Sequence, residues 1–184
     1  MNKKYILASK SPRRQELLSK VIDYFKIVVP DVDEFIENVE PHQVPEELAI
    51  RKAKNVFSNH KDCIIISADT IVLCDNIIFG KPKSREDAIS MLRRLSSNTH
   101  EVITGCCILS KDKMISFSKS TKVTFRNLTD EDIMSYVDTS EPFDKAGAYG
   151  YQGKGYFLVD YINGDYYDVV GLPIGELKER LKEF

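Results

Sequence analysis

Three consecutive isoleucines, residues 64–66 within the segment DCIIISADT (62–70), constrain the fold more than any other feature of this sequence. An unbroken apolar run this short, ending on polar residues, marks a strand buried in a sheet. The polar residues that follow put Asp69 at the end of that strand, and Thr70 just beyond it. YILAS (5–9) has the same continuous apolar character and reads as a shorter strand of the same kind.

Between and after these runs, helical and strand patterns alternate. Ser11 is an N-cap candidate with Pro12 at the first helical position, predicting a helix from residue 12 to about 19. FKIVVP (25–30) predicts a strand stopped by Pro30. Leu48, Ala49, Ala53, Val56 and Phe57 recur at helical spacing, predicting a helix over 45–58. IVLCDNIIFGKP predicts a hairpin turning at Asp75 and Asn76. Ser84 with Asp87, and Thr129 with Asp132, have the spacing of capping boxes opening two further helices. Residues 102–109 and 114–125 read as long strands. A Gly-rich loop (145–155) precedes an expected hairpin through Asn163 and Gly164, and a helix from Pro173 follows. Helices mixed with both crossovers and hairpins favour an α/β protein whose sheet is mixed and twisted. A chain of 184 residues suits one domain, with room for a lobe.

Composition narrows the function classes. The net charge of −2 offers no general attraction to nucleic acid or anionic lipid, so any anion site must be local. There is no signal-peptide core or apolar run of membrane-spanning length, and a cytoplasmic, non-membrane protein is expected. Cys63, Cys74, Cys106 and Cys107 form no CxxC pair and sit in or beside apolar runs, which predicts reduced, mostly buried thiols. Three scattered histidines disfavour a His-based zinc site, so a divalent metal would need oxygen ligands.

Several positions carry chemistry. Arg13 and Arg14 occupy a helix's first turn, where the dipole favours anions and acidic side chains. With the helix-start amides, Ser9 and Ser11, they suit a phosphate; the competing reading pairs them with Glu16 or the acidic 31–40 stretch. Asp69 can hold a metal or take a proton from water, or it is a turn residue leaving its strand. Lys52 and Lys81 are phosphate-binding candidates, against the plainer reading of solvated surface lysines. Glu34 is a second oxygen ligand or an ordinary loop carboxylate. Gln152, among glycines, can read a base edge or lie exposed in a turn.

The segments LASKSPRRQELL, VDE, RKAK, SADTIV, GKP, EVITG, FDKAGAYGYQGKG and VVGLP, in this order, resemble the Maf family of nucleoside triphosphate pyrophosphatases. The resemblance runs from about Leu7 to Pro173. It implies a single Maf-like domain over 1–184, two lobes with a cleft between them, and a fold similar to inosine triphosphate pyrophosphatases. It also implies hydrolysis between the α- and β-phosphates, a divalent metal (Mg2+ or Mn2+, with Co2+ a further candidate), a cytoplasmic location and a homodimer. Carried over by motif, Asp69 accepts the proton of the attacking water, and Ser9, Arg14, Lys52 and Lys81 bind phosphates. Glu34 and Asp69 contact the metal, and Arg13, Thr70 and Gln152 fall at positions tied to base choice. Members preferring 7-methylguanosine triphosphate carry an aromatic for the first arginine, SDQ for SADT and Glu for Gln152. All three positions here resemble the type that accepts dTTP and UTP. Because family members have been linked to septum formation, a non-catalytic nucleotide-binding regulator of cell division is the alternative. Nucleic-acid binding is disfavoured by the lack of a basic stripe with interleaved aromatics.

Overall fold

The computed structural model describes residues 3–184. Among these residues seven strands form one sheet: β1 (Tyr5–Leu7), β2 (Phe25–Ile27), β3 (Ile64–Cys74), β4 (Ile77–Phe79), β5 (Thr99–Leu109), β6 (Met114–Phe125) and β7 (Val159–Asn163). The α-helices are α1 (Pro12–Ser19), α2 (Val44–Phe57), α3 (Arg85–Leu95), α4 (Asp130–Val137), α5 (Tyr166–Val170) and α6 (Ile174–Leu181). The strand order is β2-β1-β3-β5-β6-β7, with β4 paired to β3 off that path. β1 is parallel to both β2 and β3, whereas β3–β4 and β6–β7 are antiparallel, so the sheet is mixed as expected.

The chain divides into two compact units. Unit 1 holds the described residues up to Asp69, Thr104–Lys119 and Gly171–Phe184; unit 2 holds Thr70–Ile103 and Ser120–Val170.

In unit 1, α2 lies on the sheet through Ala49, Ala53 and Val56, which pack with Ile6, Ala8, Ile65 and Cys107. The small residues let the helix approach closely. At Gly105 the approach is closest, because a Cβ there would collide with the backbone of Pro45 and Glu46. Glu46, in the first turn of α2, accepts hydrogen bonds from Ser116 (2.7 Å) and Ser118 (3.1 Å), which share one face of β6. β2 ends at Ile27, short of the predicted Pro30, since Val28 N–H makes a last bond to Leu7 O where β1 itself stops.

In unit 2, α3 and α4 cover a second core that includes Val72, Leu92, Leu95, Val123, Phe125, Ile133 and Tyr136. The β3–β4 hairpin turns at Asp75 (φ 51°) and Asn76 (φ 60°), the paired left-handed geometry of a tight two-residue turn. Thr129 and Asp132 form the full reciprocal capping box. Ser84 caps α3, but the Asp87 carboxylate turns to Lys83 N–H (2.8 Å), so only half of that box forms.

Two further expectations fail. β3 does not stop at the polar residues: it runs eleven residues to Cys74 with Asp69 in its middle, because Ser67 and Asp69 are buried and partnered. No second strand follows Asn163 and Gly164. Instead the Asp165 side chain accepts from Tyr167 N–H (2.8 Å) and the chain enters α5.

Candidate active site

The site in unit 1 follows from two periodicities. On β3, Ser67 and Asp69 face the same side; on α2, Ala49 and Lys52 lie one turn apart on the same side. Ser67 Oγ donates to the Ala49 carbonyl at 2.6 Å, which fixes helix against strand. One step along both elements, Lys52 Nζ then meets Asp69 Oδ1 at 2.5 Å. Lys52 is 7% exposed and Asp69 9%, which rules out the solvated-surface reading of this lysine and the turn reading of the carboxylate. Lys52 Nζ also pairs with Glu34 Oε1 at 2.6 Å.

Glu34 reaches this point because α2 holds its loop. Arg51 Nη1 donates to the carbonyls of Asp33 (2.6 Å) and Phe35 (2.9 Å), on either side of Glu34. Asn55, one turn further on α2, exchanges two hydrogen bonds with the backbone of Asp31 (3.0 and 3.2 Å). Neither Arg51 nor Asn55 was singled out by sequence. Their spacing of i and i+4, flanking Lys52, was the available signal.

At the start of α1, Ser11 caps as predicted, accepting from Arg14 N–H at 3.5 Å, and its own N–H donates to the buried Ser9 Oγ at 3.2 Å. The first turn carries no acidic side chain. Arg14 is partly buried, and its Nε donates to the Gly171 carbonyl at 2.8 Å. Burial pushes its pKa down; the charges of Asp69 and Glu34 pull it up and that of Arg13 adds to the lowering. It stays a cation. The charges of Asp69 and Glu34 thus favour the Arg14 guanidinium, while that of Arg13 opposes it. Gly171 was visible only as part of the VVGLP motif; its φ of +113° is a conformation that side chains avoid.

Among the described residues no group of three or more His, Cys, Asp or Glu side chains could hold a metal ion. The carboxylates of Glu34 and Asp69 nonetheless converge on one positive charge, the Lys52 ammonium. Hard oxygen donors of this kind suit Mg2+ or Mn2+, which take their remaining ligands from phosphate and water. The residues present fit such an ion.

The other predicted residues belong to unit 2. Thr70 is the residue after Asp69 on β3. Lys81 is exposed, just beyond β4. Gln152 is partly buried within the Gly-rich loop. The loop and the GKP segment are joined, since Gly147 N–H donates to the Gly80 carbonyl at 3.0 Å. All four cysteines are free thiols, and burial pushes Cys107 up to about 12 and Cys106 up as well, so neither is a nucleophile. No helix among the described residues is long and apolar enough to cross a membrane.

Comparison with known proteins places the chain by family and by fold. The sequence model of the family described as "Maf-like protein" matches residues 4–184. Proteins named dTTP/UTP pyrophosphatase from Bacillus cytotoxicus and Bacillus mycoides are each 50% identical over 183 residues, 99% of this chain and 96% of theirs. Among solved structures, the Staphylococcus aureus Ham1 protein superposes with a TM-score of 0.61 at 14% identity, over 98% of this chain and 99% of that one, a likeness of fold.

Proposed function

Since the chain belongs to the Maf family, we propose that it hydrolyses nucleoside triphosphates, dTTP and UTP in particular, to the monophosphate and pyrophosphate. The observation that carries this reading is the buried Lys52 joined to both Asp69 and Glu34, whose charges also favour the Arg14 cation.

The chemistry follows from charge. A triphosphate carries about four negative charges at neutral pH, and attack at the α-phosphorus needs them screened. By the family motifs, Ser9, Arg14, Lys52 and Lys81 bind phosphate oxygens. Asp69, oriented by Lys52, takes a proton from the attacking water. The new bond joins that water's oxygen to the α-phosphorus, and the bond from the α-phosphorus to the α–β bridging oxygen breaks. Pyrophosphate leaves with that oxygen. Glu34 and Asp69 would hold a divalent cation, which supplies further screening of the phosphates when bound. Arg13, Thr70 and Gln152 set the choice of base. The enzyme is proposed to act in the cytoplasm as a homodimer.

The test is product analysis with Mg2+ or Mn2+. Pyrophosphate should appear first from dTTP and UTP. Orthophosphate as first product, or tight nucleotide binding with no turnover, would overturn the reading; the latter would favour the regulator alternative, which the Asp69–Lys52 pair disfavours.

A further inference from the structure

The Gly-rich loop closes around a carboxylate that lies before it in sequence, Glu141. Oε1 of Glu141 accepts from the Tyr136 hydroxyl (3.1 Å) and from Gly155 N–H (3.3 Å), and Oε2 accepts from Lys154 N–H (3.0 Å). The Tyr136 hydroxyl in turn accepts from Gly150 N–H at 3.1 Å. Gly150 and residues 154–155 flank Gln152, so one tyrosine–glutamate pair holds the loop on both sides of it. Tyr136 is 1% exposed, within the core of unit 2, which anchors the pair.

The glycines have a steric reason that matches. A Cβ at Gly153 would stand 2.9 Å from Glu141 Oε2, and one at Gly155 would stand 2.7 Å from the Tyr136 hydroxyl. The loop wraps the pair too tightly for side chains at these positions. Gly153 also has φ +107°, so its backbone is fixed in a form only glycine adopts readily. A carboxylate is the right hub because it only accepts, and everything aimed at it here donates. Burial raises the Tyr136 pKa, which keeps the hydroxyl protonated and able to donate.

We propose that Glu141, acting with Tyr136, is a positioning residue for base discrimination: it fixes the loop that presents Gln152 without itself touching substrate. The proposal rests on the pyrophosphatase reading above.

Two variants test it. Glu141→Gln puts an NH2 group against backbone donors, while Tyr136→Phe keeps the ring and removes only the hydroxyl. Pyrophosphate release from dTTP, UTP and dGTP is measured for both, and for Gln152→Ala alone and combined with Glu141→Gln. For Glu141→Gln, KM for dTTP should rise about tenfold with kcat within about twofold, and for Tyr136→Phe by less. The preference for dTTP over dGTP should fall toward that of Gln152→Ala, and the double variant should resemble Gln152→Ala. Unchanged preference in both variants, or losses equal for all three substrates, would overturn the proposal; a purely structural role gives the second pattern. If Glu141→Gln does not fold, Tyr136→Phe decides. A wild-type chain releasing no pyrophosphate removes the pyrophosphatase reading itself, whereas an active wild type with unchanged variants removes only Glu141.

Discussion

Lys52 in unit 1 is buried and Glu141 in unit 2 is half-buried, and each is ringed by partners of opposite character, yet the partners differ in kind. Lys52 meets two side-chain carboxylates, and one of them, Glu34, has a side chain 58% exposed. Glu141 meets two backbone amides and a core tyrosine. Side chains can rotate away and trade one cation for another, whereas backbone amides move only if the loop moves. The first arrangement is therefore suited to chemistry, where charge must be shared with a guest, and the second to holding a shape. Similar clusters of polar groups differ in role according to what their partners are free to do.

That contrast breaks first at Asp69. Asp69→Asn should keep the fold, with an unchanged circular-dichroism spectrum, and lose roughly a thousandfold in pyrophosphate release if it is the general base. Retention of near wild-type turnover would remove it from the mechanism.

Lys52→Met should reach further, leaving two carboxylates facing each other without their shared cation. Breaking such a buried pair costs about 3–5 kcal/mol, seen as a lower denaturation midpoint alongside lost turnover. An unchanged midpoint would mean that Lys52 contributes nothing to holding Asp69.

His100 in unit 2 supplies a pH-dependent comparison. It is 2% exposed, its Nε2 lies 2.7 Å from the Tyr149 hydroxyl, and burial pushes its pKa down to about 4. The unfolded chain takes up this proton near 6.5, and the folded chain only near 4. The stability tied to the neutral ring is therefore complete above about 6.5 and lost as pH falls toward 4, on the order of 3 kcal/mol in all. Thermal unfolding between pH 7 and 4.5 should show this slope, and His100→Gln should flatten it. A slope identical in the variant would assign the acid sensitivity to other groups.

The smallest effect sharpens the account of Glu34. Arg51→Ala should free the loop that carries it, raising KM for the nucleotide by roughly fivefold while costing only about 1 kcal/mol of stability. Equal changes in Arg51→Ala and in a surface control such as Lys54→Ala would show that the loop needs no such hold.

Most of the fold was legible because its signals are local. Ser11 and Thr129 cap helices where the sequence placed them, and Asp75 and Asn76 turn the hairpin. The end of β3 was misread because Ser67, Asp69 and Thr70 look like exit residues; the burial of Ser67 and Asp69 goes with their partners Ala49 and Lys52, which the strand's own sequence cannot reveal. Asp69, Lys52, Glu34 and Arg14 stood out in the sequence as candidates, whereas Arg51, Asn55, Gly171 and Glu141 did not. Arg51, Asn55 and Glu141 act on backbone, by holding a carbonyl or an amide in place, and Gly171 acts through its own carbonyl; such roles leave little trace in residue type or spacing.

The bond from Arg14 to the Gly171 carbonyl spans 157 positions of chain. Arg14 is translated early, whereas the carbonyl that anchors it follows all the residues of unit 2. A nascent chain lacking residue 171 would carry Arg14, Lys52, Asp69 and Lys81 while still missing the contact that steadies Arg14.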